Sequence, residues 1–360
     1  MSARAANRWR AAAGAFFRGF SFQRRFREEN PRAILVLHQL LLGDTLMLAP
    51  LLAGLRARHP AAEIFISVKP EYAPLFSGAP YGVRALPYSE NEPGALAALQ
   101  AAADCDLCIL PGDNRHALAA RALGARWIVG FAGTQWKDRL LDEAVPLPET
   151  PAALADLFAS LSGFSGSLLF HARDWPAPLF SPFERPSSPY AVLHVGAGSP
   201  LRLWQPEKWR ELAQGLSQKG LSPVWSAGRG EENLIREIDP EHRHASFAGR
   251  LDLAQVWHLL AGAQQLVVLD TGIAHLAKLA GTRTVALYGP GSDVLFGRGR
   301  FWRETPFAEI TVPDFPCRDQ HHLFRRELAW VRRCNRTPAE CPRARCMEAI
   351  GAAQVLAAIH

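Results

Sequence analysis

The sequence predicts an α/β protein of two Rossmann-like, doubly wound domains facing each other across a cleft. Short apolar runs alternate with stretches of helical periodicity along most of the 360 residues, the pattern of a parallel sheet covered by helices. The series runs twice, and a proline-rich stretch at 173–189, RDWPAPLFSPFERPSSP, parts the two runs. Several apolar runs end in polar, glycine-containing turns, at the strand ends where open parallel sheets bind ligands. A chain of this length exceeds one ordinary core and suits two.

Residues 1–31 read as a basic, aromatic extension. Residues 1–32 hold eight arginines and two glutamates, which accounts for the whole net charge of +6. Trp9, Phe16, Phe17, Phe20, Phe22 and Phe26 are interleaved with them. Such a segment suits an anionic membrane surface, or packs on its own domain, or joins copies of the chain. No basic face continues elsewhere, so nucleic acid is not an expected partner. No apolar run approaches the roughly 18 residues of a spanning helix, and the start lacks a secretory signal. The expected location is cytoplasmic, and peripheral at the inner membrane under the first of the three readings of residues 1–32.

The first domain is expected over 32–172. Ala33–Leu37 reads as a buried strand, followed by Gly43-Asp44-Thr45 and an apolar helix whose internal Pro50 predicts a kink or a tight first turn. Glu63–Val68 is the second strand, Glu92–Ala103 a helix, and Asp106–Leu110 a strand running into Pro111–Arg115. Ala117–Leu123 reads as a helix and Trp127–Phe131 as a strand. After the linker at 173–189, the second domain is expected over 190–346. Tyr190–Val195 runs into Gly196-Ala197-Gly198-Ser199, then Arg202 and a helix opened by Pro206. Pro223–Ser226 leads to Gly228, Gly230, Glu231 and Glu232. Leu266–Leu269, Asp270-Thr271-Gly272, a helix stopped by Gly281, and Thr284–Tyr288 form a strand–helix–strand unit. A cysteine-rich segment covers 317–346, and 347–360 reads as a C-terminal helix.

The candidate chemistry sits on the turns. Asp44 reads as a helix N-cap or as a base that takes a proton from an attacking hydroxyl, with Gly43 admitting a substrate close to the backbone. The Gly196–Ser199 turn is a short phosphate-cradle pattern, and Arg202 beside it suits a diphosphate or is a solvated surface arginine. Glu231 and Glu232 suit a helix dipole or ribose hydroxyls. Asp270 reads as a cap. Thr271 and Gly272 expose helix N–H groups to phosphate, and His275 lies on the first turn. Cys105 and Cys108 read as buried free thiols.

Taken together, LLLGDTLMLAPLLAGLRARHP, HVGAGSPLRLWQPEKW and LDTGIAHLAKLAGTRTVALYGP resemble glycosyltransferase family 9, the ADP-heptose:lipopolysaccharide heptosyltransferases and their relatives, over roughly 32–355. The resemblance implies a GT-B fold and inverting transfer with no cofactor or metal for catalysis. It implies a donor, ADP-heptose, and a lipopolysaccharide core or other glycan acceptor. It implies Asp44 as base and Arg202 on the diphosphate, where the family usually has lysine. Asp270, Thr271, Gly272 and His275, with Gly43, Ser199 and Glu231, fall on the donor side. Arg115 and Lys137 are candidates for acceptor anions. Cys317, Cys334, Cys341 and Cys346 are candidates for a structural Zn or Fe, with His321 and His322 as substitute ligands, or are free thiols. Two other functions fit the same residues: heptosyl transfer to a protein, and silent nucleotide-sugar binding.

Overall fold

The computed structural model describes Asn7 and residues 26–359. The basic extension, Asn7 and residues from 26 onward excepted, therefore lies outside the described residues. The first sheet contains β1 (Ala33–Val36), β2 (Glu63–Val68), β3 (Val83–Pro87), β4 (Leu107–Leu110), β5 (Trp127–Phe131) and β6 (Glu143–Val145) in the order β3-β2-β1-β4-β5-β6. The second contains β7 (Tyr190–His194), β8 (Ser222–Ser226), β9 (Ala245–Ser246), β10 (Gln265–Leu269), β11 (Thr284–Tyr288) and β12 (Phe307–Thr311) in the order β12-β11-β10-β7-β8-β9. All neighbours are parallel. Numbered within its own half, each sheet has the same Rossmann order, and its winding reverses between β1 and β4 or between β7 and β10.

The central strands are apolar because both faces are covered. Every residue of β7, β10 and β11 is buried. Ile34 and Val36 of β1 and Leu266 and Val268 of β10 belong to one continuous apolar cluster, so the inner layers of the two halves share a core. Each sheet has a separate outer layer. Helix Pro206–Gln218 belongs to the second sheet's outer layer. Its Trp209, Leu212, Ala213 and Leu216 are buried at helical spacing. Gly215 there leaves room for Leu356, which would lie 2.6 Å from an added Cβ.

For Pro50 the first-turn alternative holds: Leu42–Leu46 and Ala49–Arg58 are separate helices, and Pro50 occupies the second one's first turn, where its missing N–H costs nothing. Three local readings are corrected. Asp44 is not an N-cap, since Leu41 holds that position and Asp44 sits in the first turn. The Glu92–Ala103 stretch shortens to a 3-10 segment, Ala95–Ala102. The C-terminal helix is two pieces, Arg345–Glu348 and Ala352–Ala357, separated at Gly351. No helix among the described residues is long and apolar enough to cross a membrane.

Between β12 and the C-terminal helices the chain leaves the sheet and crosses to the first domain. Its hairpin, β13 (His322–Leu323) and β14 (Arg326–Glu327), docks there. Arg326 donates to the carbonyls of Phe131 (2.7 Å) and Ala132, and Trp330 Nε1 donates to that of Pro148 at 2.8 Å. The cysteine-rich segment is thus a strap across both halves.

Candidate active site

The site forms where the corner after β1 meets the corner after β10. Gly43 and Gly272 make that meeting close. A Cβ on Gly43 would lie 2.9 Å from His275 Cδ2 and 3.3 Å from Gly272 Cα. One on Gly272 would lie 2.9 Å from Leu42 and 3.0 Å from the Gly43 nitrogen. Each glycine is therefore fixed by the other domain, and Gly43 serves interdomain contact rather than an open substrate passage.

Two carboxylates face each other across this contact. Asp44 is half-buried, and its pKa is raised to about 6 by burial and by Asp270, against the opposing pull of Arg333 and Arg202. Asp270 is buried, and burial raises its carboxyl too, while Arg202, Lys278 and Arg333 pull it down. Arg202 Nη1 donates to the Asp270 carbonyl at 2.7 Å and lies 3.6 Å from Oδ2. That oxygen presses against Gly291, whose added Cβ would approach it to 2.1 Å.

Thr271 is the N-cap of helix Gly272–Ala280, yet its hydroxyl makes no cap bond and is buried without a partner. The first N–H groups of that helix open beside Arg202, a ready anion site. His275 is buried, and burial first, then Lys278, keep its imidazole neutral. Lys278 is buried as well. Its Nζ donates to the carbonyls of Gly297 (2.5 Å) and Phe296 (3.2 Å) and lies 4.3 Å from the Phe307 ring centroid. Burial lowers its pKa to about 7.

The other expected residues lie around this centre. Ser199 caps a short 3-10 turn, accepting from Leu201 N at 3.4 Å, and Arg202 ends that turn. Glu231 accepts from Gly228 N at 2.7 Å, and its carboxylate occupies the space that a Cβ on Gly196 would take, at 1.9 Å. The Gly196 turn is therefore glycine because Glu231 crosses it. Glu232 accepts from Gly230 N at 3.0 Å.

Asp44 also lines a cavity of about 360 Å³ on the first domain, with His38, Asp113, Arg115, Phe324 and Arg325 among its walls. Burial drives His38 down to about 3. Its Nδ1 accepts from Leu40 N at 3.1 Å, so the proton is on Nε2, which has no protein partner. Asp113 takes Arg115 Nε at 2.8 Å and Nη2 at 3.0 Å, and Lys137 Nζ at 3.3 Å. Burial works against its ionised form, but Arg115 and Lys137 hold the carboxyl well below the usual range. Lys137 is buried on Asp113, whereas Arg115 reaches the cavity.

This arrangement of paired carboxylates, opposed cations and open helix terminus lies across two Rossmann halves, and the matches to known proteins concern the same fold. The model of "Glycosyltransferase family 9 (heptosyltransferase)" matches residues 165–309. Over those residues the chain is similar to that family. It is 31% identical to lipopolysaccharide heptosyltransferase 1 of Pseudomonas aeruginosa over 137 residues, 37% of this chain and 36% of that protein. The matched segment thus spans about a third of that curated relative's length. Among solved structures, Escherichia coli ADP-heptose lps heptosyltransferase II superposes with a TM-score of 0.65 at 20% identity, covering 91% of this chain and 97% of that one. The iron-containing dodecameric glycosyltransferase TibC of enterotoxigenic E. coli H10407 gives 0.56 at 15% identity, covering 93% and 76%. These likenesses establish the GT-B fold.

The three sequence blocks converge at the carboxylates, with two further participants. Lys278 lies inside the third block, a lone cation in an apolar helix and so a signal present in the sequence. Arg333 comes from the strap. Its Nη2 donates to His322 O at 2.8 Å, and its Nε is buried without a partner. Cys334 N donates to Pro290 O at 2.9 Å, which holds this part of the strap to the loop flanking Asp270.

The four cysteines of 317–346 lie on the strap and the short helix after it. Burial, and then the Cys334 thiol, raise Cys317. Cys341 donates to Arg343 O at 3.2 Å. Cys346 is pushed up to about 11, by burial and then by Cys317. Among the described residues, no three His, Cys, Asp or Glu side chains converge to hold a metal. The donor chemistry suits a soft metal, but this geometry does not close a ligand shell. Cys105, just before β4, and Cys108, within it, are buried free thiols.

Proposed function

We propose that this chain is an inverting glycosyltransferase that moves heptose from ADP-heptose to a hydroxyl of a lipopolysaccharide core acceptor. The observation that carries the reading is the placement of Asp44 opposite Asp270, Arg202 and the open terminus of helix Gly272–Ala280. Asp44 takes the acceptor hydroxyl proton. The acceptor oxygen attacks the anomeric carbon, the bond to the β-phosphate oxygen breaks, and its electron pair leaves with ADP. Arg202 and the helix N–H groups receive that charge without reorganising. Asp270, with Thr271 and His275, frames the donor sugar and phosphates. Ser199 lies on the phosphate turn and Glu231 faces the nucleoside. The acceptor lies on 32–172, the donor on 190–346, with 173–189 as linker. Charge neutralisation in this scheme needs no catalytic metal.

The test is a thermal-shift panel of nucleotide sugars followed by transfer. ADP-heptose at 100 times its Kd should stabilise the protein by about 2.7 kcal/mol. Asp44→Asn should keep that shift and lose transfer; full transfer by a folded Asp44→Asn protein would sink the base assignment. Transfer to a protein hydroxyl is a second reading, favoured by the cysteine-rich strap. Mass spectrometry of glycans and proteins from a deletion strain separates the two. The four C-terminal thiols are our candidate for a structural Zn or Fe, decided by elemental analysis of purified protein. Residues 1–32 are our candidate for peripheral attachment to anionic membrane, decided by sedimentation with anionic vesicles.

A further inference from the structure

The strap's hairpin turns through Phe324 and Arg325, with φ of 50° and 64°. Two consecutive left-handed residues between paired strands make a turn that strongly prefers Asn-Gly. A phenylalanine and an arginine there are strained, and such strain persists only where surrounding structure imposes it. Here the imposition is visible. Phe324 stacks on Phe131 with centroids 6.0 Å apart and planes at 13°, and Arg326 is fixed on the Phe131 and Ala132 carbonyls. The turn thereby holds Arg325 at the wall of the Asp44 cavity, its Nε 3.5 Å from Asp113 Oδ2.

The charges at that wall do not balance. Asp113 faces Arg115, Lys137 and Arg325, and Glu90 adds a further negative charge acting on Arg115. Lys137 is buried, but the Arg115 and Arg325 side chains are 45% and 66% exposed. Three cations against these two carboxylates leave the wall positive. Arg325, the most exposed of the three, with Arg115 beside it, is placed to attract an oxyanion, and guanidinium geometry suits carboxylate or phosphate.

We propose that Arg325 is an acceptor-binding residue: with Arg115 it holds an oxyanion of the acceptor glycan, so the strap forms part of the acceptor pocket. The inference rests on the transferase reading and deepens it. The acceptor hydroxyl is presented to Asp44 by a glycan anchored on both sides of the domain boundary. Acceptor specificity then depends on a segment that follows the donor domain in sequence, not only on residues 32–172.

The experiment uses the full chain, ADP-heptose and three acceptors: deacylated lipopolysaccharide core oligosaccharide, its carboxyl-reduced form and its dephosphorylated form. Arg325→Asn is the informative variant, because asparagine tolerates positive φ better than arginine. It should melt no lower than the parent and bind ADP-heptose equally well. Its kcat/KM for the native acceptor should fall about tenfold to a hundredfold, mainly through KM. That loss should vanish on whichever modified acceptor lacks the anchoring oxyanion, which distinguishes carboxylate from phosphate. Arg325→Lys should recover part of the loss. An unchanged acceptor KM in Arg325→Asn, or an equal loss on all three acceptors, overturns the inference while leaving the transferase reading intact. Absence of transfer by the parent protein with every acceptor overturns both.

Discussion

At the corner after β1, glycine comes first and the carboxylate follows inside the helix's first turn; after β10 the carboxylate comes first and glycine opens the helix. Both corners end a buried parallel strand, and both carboxylates are raised by burial. The difference is access. Asp270 is 5% exposed, its backbone carbonyl tied to Arg202 and one carboxylate oxygen packed on Gly291. Asp44 opens onto a cavity of about 360 Å³. One carboxylate is enclosed; the other is partly desolvated and still reachable. A shared sequence motif of Asp and Gly at strand ends therefore yields two environments, separated by what covers each side chain.

Removing the reachable carboxylate should have the largest effect. Asp44→Asn should abolish transfer, and it should also stabilise the fold in a pH-dependent way. The folded pKa of about 6 exceeds the ordinary 3.8, so ionising Asp44 costs folding free energy. That cost is absent below the ordinary value, grows between the two and is complete above about 6. After allowance for solvent screening, the variant should gain about 2 kcal/mol at pH 7.5 and almost nothing at about pH 3. A melting comparison across that range that shows no pH-dependent gain contradicts the claim that Asp44 is held against its ionisation.

Separating the corners should cost less. Gly272→Ala places a methyl group 3.0 Å from the Gly43 nitrogen, and backbone cannot swing aside as a side chain can. The helices must part by a few tenths of an ångström or more. Displacements up to about 1 Å at a reacting centre cost up to about a hundredfold in rate, so kcat should fall about tenfold to a hundredfold. The cavity's acceptor-side wall is unaltered, so acceptor KM should change little. Wild-type kcat in a folded Gly272→Ala protein would show that the close approach of the corners does not matter to transfer.

The two corners were legible in the sequence for a physical reason: strand, turn and helix are local, and each leaves a period or a punctuating residue. Leu266–Leu269, Thr271–Gly272 and Gly281 could be read this way, and so could the alternation that defines the sheets. Pro50 was visible, but whether it kinks one helix or opens another depends on the break at Met47–Leu48, which carries no strong stop signal. The Glu92–Ala103 stretch is alanine-rich and helical by propensity, yet only a 3-10 segment forms there. The strap was not legible at all. Its docking uses backbone carbonyls as acceptors, as in Arg326 to Phe131 across 195 residues, and such contacts impose no period on either partner. The clustered cysteines pointed to metal binding instead. Arg325 and Arg333 lie among those cysteines in the sequence and form no pattern of their own.

Arg333 offers the finest adjustment of the comparison, because it acts on both carboxylates from the strap. It favours the ionised form of Asp44, as does Arg202, against burial and Asp270. Arg333→Gln removes one of those two positive charges and leaves the opposing influences in place. The Asp44–Asp270 pair should then bind a proton more tightly, and the apparent pKa belongs to the pair rather than to either residue. The acid limb of kcat/KM, expected near pH 6 for the parent, should move to higher pH. Activity should therefore fall severalfold at pH 6 and much less at pH 8.5, with ADP-heptose affinity nearly unchanged. Arg333→Lys should keep the limb near its original position. If Arg333 only fastened the strap, the loss would be equal at all pH values and would accompany a lower melting temperature. A limb that stays in place in Arg333→Gln therefore removes Arg333 from the site's electrostatics and leaves Arg202 as the cation opposing Asp270.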